Sequence, residues 1–329
     1  MKRYILKRIL MIFPMLLGIS LILFLVMHLA PGDPTSMRYG LNPEVSGSAR
    51  DNFARMYDLD EPLAIQYVKW LGRIVSLDFG RSMIDDQPVA AKIASRLPAT
   101  LLLQVSSLLL VFVIAVPLGI ISAVKRDSVM DRLTTVLVFT GYSMPTFWLA
   151  LLLILFFGIK LQWLPISGMS PWYMEYLSRG ERFMEILRHM VLPLTVTALG
   201  SMATLSRYSR SSVIQALQEP HVLNARARGI AERRVIWVHV LRNAMLPIVT
   251  IMGLTLPALV SGSFIFETIF SWPGMGRLGY EAIMSYDYPV VMGVGVIATF
   301  LTLVGILLSD IAYAAVDPRI KAGFADDRQ

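Results

Sequence analysis

Residues 101–123 read LLLQVSSLLLVFVIAVPLGIISA, an apolar run that contains no acidic or basic side chain. A helix rises about 1.5 Å per residue, so a run of this length covers the roughly 30 Å hydrocarbon core of a bilayer. Backbone polar groups find no water there and must be satisfied within a helix. This stretch therefore predicts a transmembrane helix, and it sets the class of the whole chain.

Five further stretches share this length and this lack of charge. Of the 329 residues, 55% are hydrophobic and only 16% are charged, and the mean hydropathy is +0.61. A soluble domain has about 25% charged residues, so the composition excludes an ordinary soluble enzyme. We predict an all-α polytopic membrane protein with six transmembrane helices, at Ile9–Gly32, Leu101–Ala123, Leu133–Ile159, His189–Ser206, Asn243–Phe266 and Tyr288–Ser309.

The distribution of Lys and Arg predicts the orientation. With the N-terminus in the cytoplasm, the inner segments carry 17 Lys and Arg and the outer segments carry 13. Eight of the 13 lie in residues 33–100, a segment too long for its charges to determine topology. Both termini are therefore expected in the cytoplasm, the first span is expected to be a retained signal anchor, and the excess positive charge does not indicate nucleic-acid binding.

The same segments define the organisation of the chain. We predict one membrane domain with two additional parts, an extracytoplasmic segment and a cytoplasmic loop with a basic face. In the extracytoplasmic segment, a helix is expected after Asp60-Glu61-Pro62. The predicted parts are an N-terminus at 1–8, the first span at 9–32, an extracytoplasmic subdomain at 33–100, a permease core at 101–309 that includes the loop 207–242, and a cytoplasmic tail at 310–329.

Several kinds of chemistry are missing from the sequence. The chain has no Cys, no His-Glu-x-x-His pair and no Gly-Lys dipeptide of a phosphate-binding loop. The six spans also lack the ionisable groups that an ion-coupled transporter is expected to hold near the midplane. We therefore expect no enzyme activity, cofactor or metal site in this chain, and we expect its energy source to lie in another protein.

Two regions near the fifth span are candidates for the transport path. Gly253, Pro257 and Ser261 recur at every fourth residue, and this small-residue face either packs against another helix or lines a narrow passage. In the segment that follows, Trp272-Pro273-Gly274-Met275-Gly276 is too apolar for a purely solvated loop and too rich in glycine for a helix. It either tucks back into the outer mouth and lines a gate, or forms a surface turn anchored by an interfacial Trp. Its candidate residues are Glu267, Trp272, Pro273, Gly274 and Met275.

The cytoplasmic loop 207–242 has helical patterning and seven arginines. Within it, Asn224-Ala225-Arg226-Ala227-Arg228-Gly229 joins small residues to a glycine that can end a short helix at a positive φ angle. The arginines either contact a partner or face water and anionic headgroups.

At these residues the sequence resembles the permease subunits of peptide and nickel ATP-binding-cassette importers. The likeness extends over nearly the whole chain through eight motifs in the same order. They are Pro31-Gly-Asp-Pro34, Asp78-Phe-Gly-Arg-Ser82, Leu97-Pro-Ala-Thr100, Ser143-Met-Pro-Thr-Phe-Trp148, Ala225-Arg-Ala-Arg-Gly229 with His239 to Pro247, Glu267 to Arg277, Asp287-Tyr-Pro289 and Val316-Asp-Pro-Arg319.

The resemblance implies a type I importer fold and a set of partners. A second, homologous permease would complete the translocation path, two ATPase subunits would bind ATP and Mg, and an extracytoplasmic solute-binding protein would deliver the solute. Residues 224–229 would form the coupling helix that contacts the ATPase, and the segment from Glu267 would tuck into the outer mouth as a gate. The general Glu-Ala-Ala pattern is only partly kept, because Leu223 and Asn224 stand where its glutamate and first alanine would be.

The leading hypothesis is an importer permease in a prokaryotic cytoplasmic (inner) membrane, with peptide as the expected solute. A secondary transporter of similar solutes and a non-transporting scaffold are the alternatives. Uptake by this chain alone, driven by an ion gradient, would indicate the first alternative. An absence of solute flux with any partner would indicate the second.

Overall fold

The computed structural model describes residues 2–29, 55 and 59–316, and its long elements are all helices. The motif at Pro31–Pro34, most of the predicted subdomain before Leu59 and the tail after Val316 lie outside the described residues. The α-helices are α1 (Lys2–Leu29), α2 (Leu63–Val75), α3 (Val89–Val124), α4 (Val129–Ser143), α5 (Thr146–Leu153), α6 (Arg179–Leu217), α7 (Pro220–Ala227), α8 (Glu232–Arg234), α9 (Leu241–Thr255), α10 (Ala258–Ser261), α11 (Phe264–Ile269), α12 (Met275–Met284) and α13 (Tyr288–Val316).

Four of these helices, α1, α3, α6 and α13, are long and apolar enough to cross a membrane. A fifth crossing is formed if Glu232–Met245 and Pro247–Thr255, which meet at 42°, count as one bent span. The third of the six predicted spans is not one continuous helix: α4 ends at Ser143, α5 begins at Thr146, and a π-helical turn follows at Ile154–Lys160. Pro145 causes the break, because it has no N–H to donate and forces Met144 into an extended conformation.

Two helices run well past their predicted ends. Helix α3 begins 12 residues before Leu101, and α6 extends beyond the predicted span at both ends. At its start, the Ser178 hydroxyl accepts from the Glu181 N–H while the Glu181 carboxylate accepts from the Ser178 N–H. Hydropathy detects the part of a helix that lipid surrounds, whereas capping and helix propensity determine where it ends.

Helices α3 and α6 form the centre of the molecule. A Cβ on Gly119 of α3 would lie 2.5 Å from the Ser206 carbonyl oxygen of α6, so only glycine permits this approach. Next to this contact, α3, α6 and α9 share a buried hydrophobic core. It is formed by Val111, Ala115, Val116, Ala198, Leu205 and Ile248.

The first and last helices pack side by side. Arg8 lies 3.2 Å from the Asp310 carboxylate, and Gly295 of α13 packs against Leu23 of α1. The start of α1 is therefore next to the end of α13, and the two helices run antiparallel. Asp310, which the sequence places at the inner end of the last span, has Arg8 as its partner.

The broken segment α4–α5 runs along α6. Near one end, Asp131 pairs with Arg210 of α6, and beyond the other end the Trp163 carbonyl accepts from Arg188 of the same helix. Arg188 and Arg210 are 22 residues apart, or about 33 Å along a helix. This length matches the roughly 30 Å hydrocarbon core.

At one end of the molecule, the helices are joined by α2 and by sequence motifs that lie far apart in the chain. Helix α2 begins one residue after Pro62, which confirms the helix expected there, and its buried Trp70 packs against Phe24 of α1. Asp287, which is also buried, accepts hydrogen bonds from the Ser82 hydroxyl and the Met83 N–H. The Asp78–Ser82 and Asp287–Pro289 motifs therefore meet in space.

Candidate functional site

A cavity of about 300 Å³, here called the groove, lies between α3, α6 and the α9–α10 segment. Its described lining contains aliphatic, hydroxyl and amide side chains but no ionisable one. The lining residues are Gln104, Ser107, Leu108, Val111, Thr197, Gly200, Ser201, Thr204, Leu205, Ile251, Met252, Thr255, Ala258 and Leu259.

The polar groups of the groove fall into two sets. The hydroxyls of Thr197 and Thr255 donate to carbonyls of their own helices, at 2.9 and 2.7 Å. Within the described part of the chain, four other polar side chains of the lining have no hydrogen-bond partner. These are Gln104, Ser107, Ser201 and Thr204.

These four side chains lie within predicted spans, where lipid offers no hydrogen bond. An unpaired polar group in hydrocarbon costs several kcal/mol, roughly 2–7 depending on the reference state. Their concentration in one cavity therefore indicates a surface that meets water or a polar solute. The sequence analysis missed this set, although polar residues inside an apolar run, as in Gln104-Val-Ser-Ser107, are a signal that could have identified it.

Gly253 and Pro257, two residues of the small-residue face of the fifth span, contact α13. A Cβ on Gly253 would lie 3.2 Å from Ser309 Oγ of α13, and one on Gly305 of α13 would lie 2.9 Å from Pro257 Cα. Neither Gly253 nor Pro257 is among the described residues that line the groove. The structure thus favours helix packing for these two residues. Ser261 ends α10, and its side chain lies outside the described part.

The segment that follows folds back into the chain. Trp272 is fully buried, and its indole N–H donates to the Ala99 carbonyl at 2.9 Å. Met275 is also buried, while Pro273 is half-buried. This burial does not fit a surface turn with an interfacial Trp. The two large side chains are part of the core of this chain and do not line the groove.

Glu267 fastens this segment to α3. Its Oε1 accepts from the Thr100 hydroxyl at 3.0 Å, and its Oε2 accepts from the Arg277 N–H at 2.8 Å. The Thr100 Oγ1 in turn accepts from the Met275 N–H at 2.8 Å. A Cβ on Gly274 would lie 2.4 Å from the Glu267 carboxylate, so this glycine leaves the space that the carboxylate occupies.

The predicted coupling residues form a helix and a turn. Helix α7 ends at Ala227, and Gly229 follows with a φ angle of +73°, as the sequence analysis expected. Ala225 is not exposed on this helix. It is buried against this chain's own Val222, Val235 and other aliphatic side chains, because one face of α7 must cover that cluster. Asn224, Ala227 and Arg228 are exposed.

The two arginines of this turn differ in their surroundings. Arg226 donates twice to the Glu232 carboxylate, at 2.6 and 3.1 Å. This pairing raises the pKa of Arg226 and lowers the pKa of Glu232 from their ordinary values. Arg228 has no ion pair within the described residues, so its charge is available to a partner.

A second polar cluster, which the sequence analysis missed, joins three helices at the end near α7. Buried Asp131 accepts from Arg210 Nε at 3.0 Å and Nη2 at 2.8 Å, from the Ser122 hydroxyl, and from the Asp127 N–H at 3.0 Å. The Arg210 guanidinium is the main reason that the pKa of Asp131 lies well below its usual range. The cluster fixes the start of α4 to α3 and α6.

Two family models together match most of the chain. The family model "Binding-protein-dependent transport system inner membrane component" matches residues 115–322, and the model of the N-terminal part of such components matches residues 1–104. The oligopeptide transport system permease protein AppB of Bacillus subtilis is 41% identical over 322 residues, covering 98% of this chain and 100% of that protein. The dipeptide transport system permease protein DppB of Escherichia coli K12 is 36% identical, covering 98% and 99%.

A solved structure supports the fold. A chain from inward-facing conformations of the MetNI methionine ABC transporter superposes with a TM-score of 0.53 at 19% identity, covering 68% of this chain and 96% of that one. The family models and the relatives identify a multi-pass inner-membrane permease subunit that works with ATPase and binding-protein partners and is not itself an enzyme. The chain belongs to the family of binding-protein-dependent transport system inner membrane components.

Proposed function

We propose that this chain forms one wall of a passage for short peptides across the inner membrane, and that a second, homologous permease forms the other wall. The observation that carries the proposal is the groove, where four polar side chains without partners in the described chain lie at membrane depth. The relatives named as oligopeptide, dipeptide and glutathione permeases support peptides as the solute class.

The coupling contact is assigned to the exposed side of α7 and to Gly229. Asn224, Ala227 and Arg228 face outward there, while Ala225 and the Arg226–Glu232 pair hold the helix and turn in place. In this scheme two ATPase subunits, which hold ATP and Mg, move the permease through this contact. The solute-binding protein delivers peptide at the opposite face.

The gate is assigned to the segment from Glu267 to Met275. Because it is fastened to α3 through Thr100 and Ala99, a movement of α3 carries the segment with it. Its proposed role is to move as one body with α3 at the outer end of the passage, since Trp272 and Met275 are buried within the chain.

We also propose six crossings with both termini in the cytoplasm. Two observations support an even number of crossings. The start of α1 lies next to the end of α13, and the broken α4–α5 segment runs along about 33 Å of α6.

Uptake by a reconstituted complex tests the proposal. The chain is combined in proteoliposomes with the second permease, the ATPases and the binding protein, and radiolabelled trialanine uptake is measured. Uptake should require ATP and the binding protein, and it should resist an ionophore that collapses ion gradients. Ionophore-sensitive uptake by this chain alone would indicate a secondary transporter, and a lack of flux in the full complex would indicate a scaffold.

A further inference from the structure

Gln104 differs from every other polar residue that lines the described groove. It is the one residue there with a carboxamide side chain, it is half-buried, and it has no hydrogen-bond partner among the described residues. The other polar residues without partners, Ser107, Ser201 and Thr204, each offer a single hydroxyl.

The chemistry of a carboxamide matches that of a peptide bond. It carries two N–H donors and a carbonyl acceptor, whereas a peptide bond carries one donor and one acceptor. In an extended peptide, the N–H and C=O of one residue point to the same side and belong to two adjacent trans amides. A side-chain amide can therefore donate to that C=O and accept from that N–H at the same time. A hydroxyl has one hydrogen and cannot reproduce this paired geometry.

The strength of such a contact suits a passage. A hydrogen bond to the solute replaces one to water, so its net contribution is small. A transport path needs contacts that are favourable enough to admit the solute and weak enough to release it. A neutral amide meets this requirement better than a charged group, because charge-assisted hydrogen bonds are about twice as strong.

We propose that Gln104 hydrogen-bonds the main-chain amides of the passing solute and thereby selects for amide-bearing compounds. This inference rests on the proposed function, because it assumes that the groove is the passage. It assigns to the permease a part of peptide selection that does not depend on the peptide's side chains.

The test compares a peptide with its ester analogue. Uptake of trialanine and of the analogue in which one amide N–H is replaced by oxygen is measured with the reconstituted wild-type complex and with Gln104→Met. Methionine keeps the length of the side chain and removes its hydrogen bonds. The binding protein's own preference is the same in both complexes, so it cancels from the comparison. Gln215→Met serves as a control, because Gln215 is exposed on α6 outside the groove.

We expect the amide-to-ester uptake ratio to be about fivefold lower in Gln104→Met than in the wild type, and unchanged in Gln215→Met. An unchanged ratio in Gln104→Met, whatever the overall rate, overturns the proposal. If Gln104→Met does not assemble, Gln104→Asn replaces it: its shortened amide should lower the ratio, and a wild-type ratio overturns the proposal. If the wild type takes up neither compound, the proposed function itself fails.

Discussion

At the scale of single residues, two glycines are difficult to replace, and for different reasons. Gly274 leaves room for the Glu267 carboxylate, and Gly229 adopts a φ angle that L-residues with a side chain avoid. The sequence analysis could predict the turn at Gly229, because a glycine after a short helix is a local signal. It could not predict the Glu267–Thr100 bond, which joins residues 167 positions apart.

Gly274→Ala should destabilise the protein. Its methyl group would lie 2.4 Å from the Glu267 carboxylate, and such overpacking costs about 1–3 kcal/mol. Thermal unfolding of the purified protein in detergent should show a Tm lowered by several degrees. Gly180→Ala, at an open position with no atom within 4 Å, is the matched control and should keep the wild-type Tm. Equal Tm values for the two variants would contradict the close contact between Gly274 and the Glu267 carboxylate.

Gly229→Val should weaken the binding of the ATPases while the permease still inserts and pairs. The site has open space, so the cost is backbone strain alone, about 1–2 kcal/mol at this φ. Gly229→Asn is the control, since Asn tolerates the left-handed conformation. Co-purification of the ATPases with each variant measures the effect. Arg226→Ala should be milder, because its exposed pair with Glu232 contributes about 0–1 kcal/mol.

At the scale of elements, sequence and structure agree where a signal is local and differ where it is not. Apolar runs predicted the cores of the long helices, and Pro145 interrupts the third predicted span. The burial of Ala225 depends on Val235 and Val240 across a turn, and the Asp131 cluster depends on Arg210 79 positions later. Spacing within one sequence does not reveal such tertiary contacts.

Asp131→Asn should loosen the junction of α3, α4 and α6. It would leave the partly exposed Arg210 without its carboxylate, at a cost of about 2 kcal/mol once solvent screening is allowed for. Chemical denaturation should show the loss, whereas Asp127→Asn, which alters a mostly exposed carboxylate nearby, should not. If Asp131→Asn unfolds at the same denaturant concentration as the wild type, the Asp131 cluster does not stabilise the contact of α4 with α3 and α6.

The same cluster predicts a pH dependence. Because the folded pKa of Asp131 lies below its unfolded value of about 3.9, its contribution is fully present above that value. The contribution is lost as the pH falls through the folded pKa. The stability difference between wild type and Asp131→Asn should therefore be constant from neutral pH to about pH 5 and shrink in stronger acid. A difference that changes between pH 6 and pH 8 would point to another group.

At the scale of the whole molecule, the described lining of the groove carries no ionisable side chain, and this determines which solutes the proposed passage would admit. A wall without fixed charges neither attracts nor repels ionic side chains, so peptides of different charge meet similar electrostatics. The six apolar stretches and the family resemblance were enough to predict this class of protein. The position of the groove was not predictable, because it depends on which faces of α3, α6 and α9 meet.

Thr204→Asp should create a charge preference. A fixed negative charge in this low-dielectric groove should slow the uptake of Ala-Glu-Ala relative to trialanine by at least about tenfold. Thr204→Asn, similar in size and neutral, is the control and should keep the wild-type ratio. If both variants behave alike, solutes do not pass this wall.

The proposed topology can be tested with single cysteines, since the chain contains none. Exposed positions flank the broken α4–α5 segment, with Lys125 before it and Ser170 after it. In intact cells, a membrane-impermeant thiol reagent should label Ser170→Cys and Gln87→Cys but not Lys125→Cys or Arg228→Cys. Labelling of Lys125→Cys and Ser170→Cys from the same side would exclude a sixth crossing.

The antiparallel contact between α1 and α13 has a consequence for biogenesis. About 300 residues separate Arg8 from Asp310, and bacterial translation adds roughly 5–20 residues per second. The first helix therefore spends on the order of 15–60 s in the membrane before its final neighbour is synthesised. During that interval the face of α1 that later contacts α13 is open to lipid or to an insertion factor. The α1–α13 contact therefore forms only when translation is nearly complete, whereas the contact of α1 with Trp70 of α2 can form early.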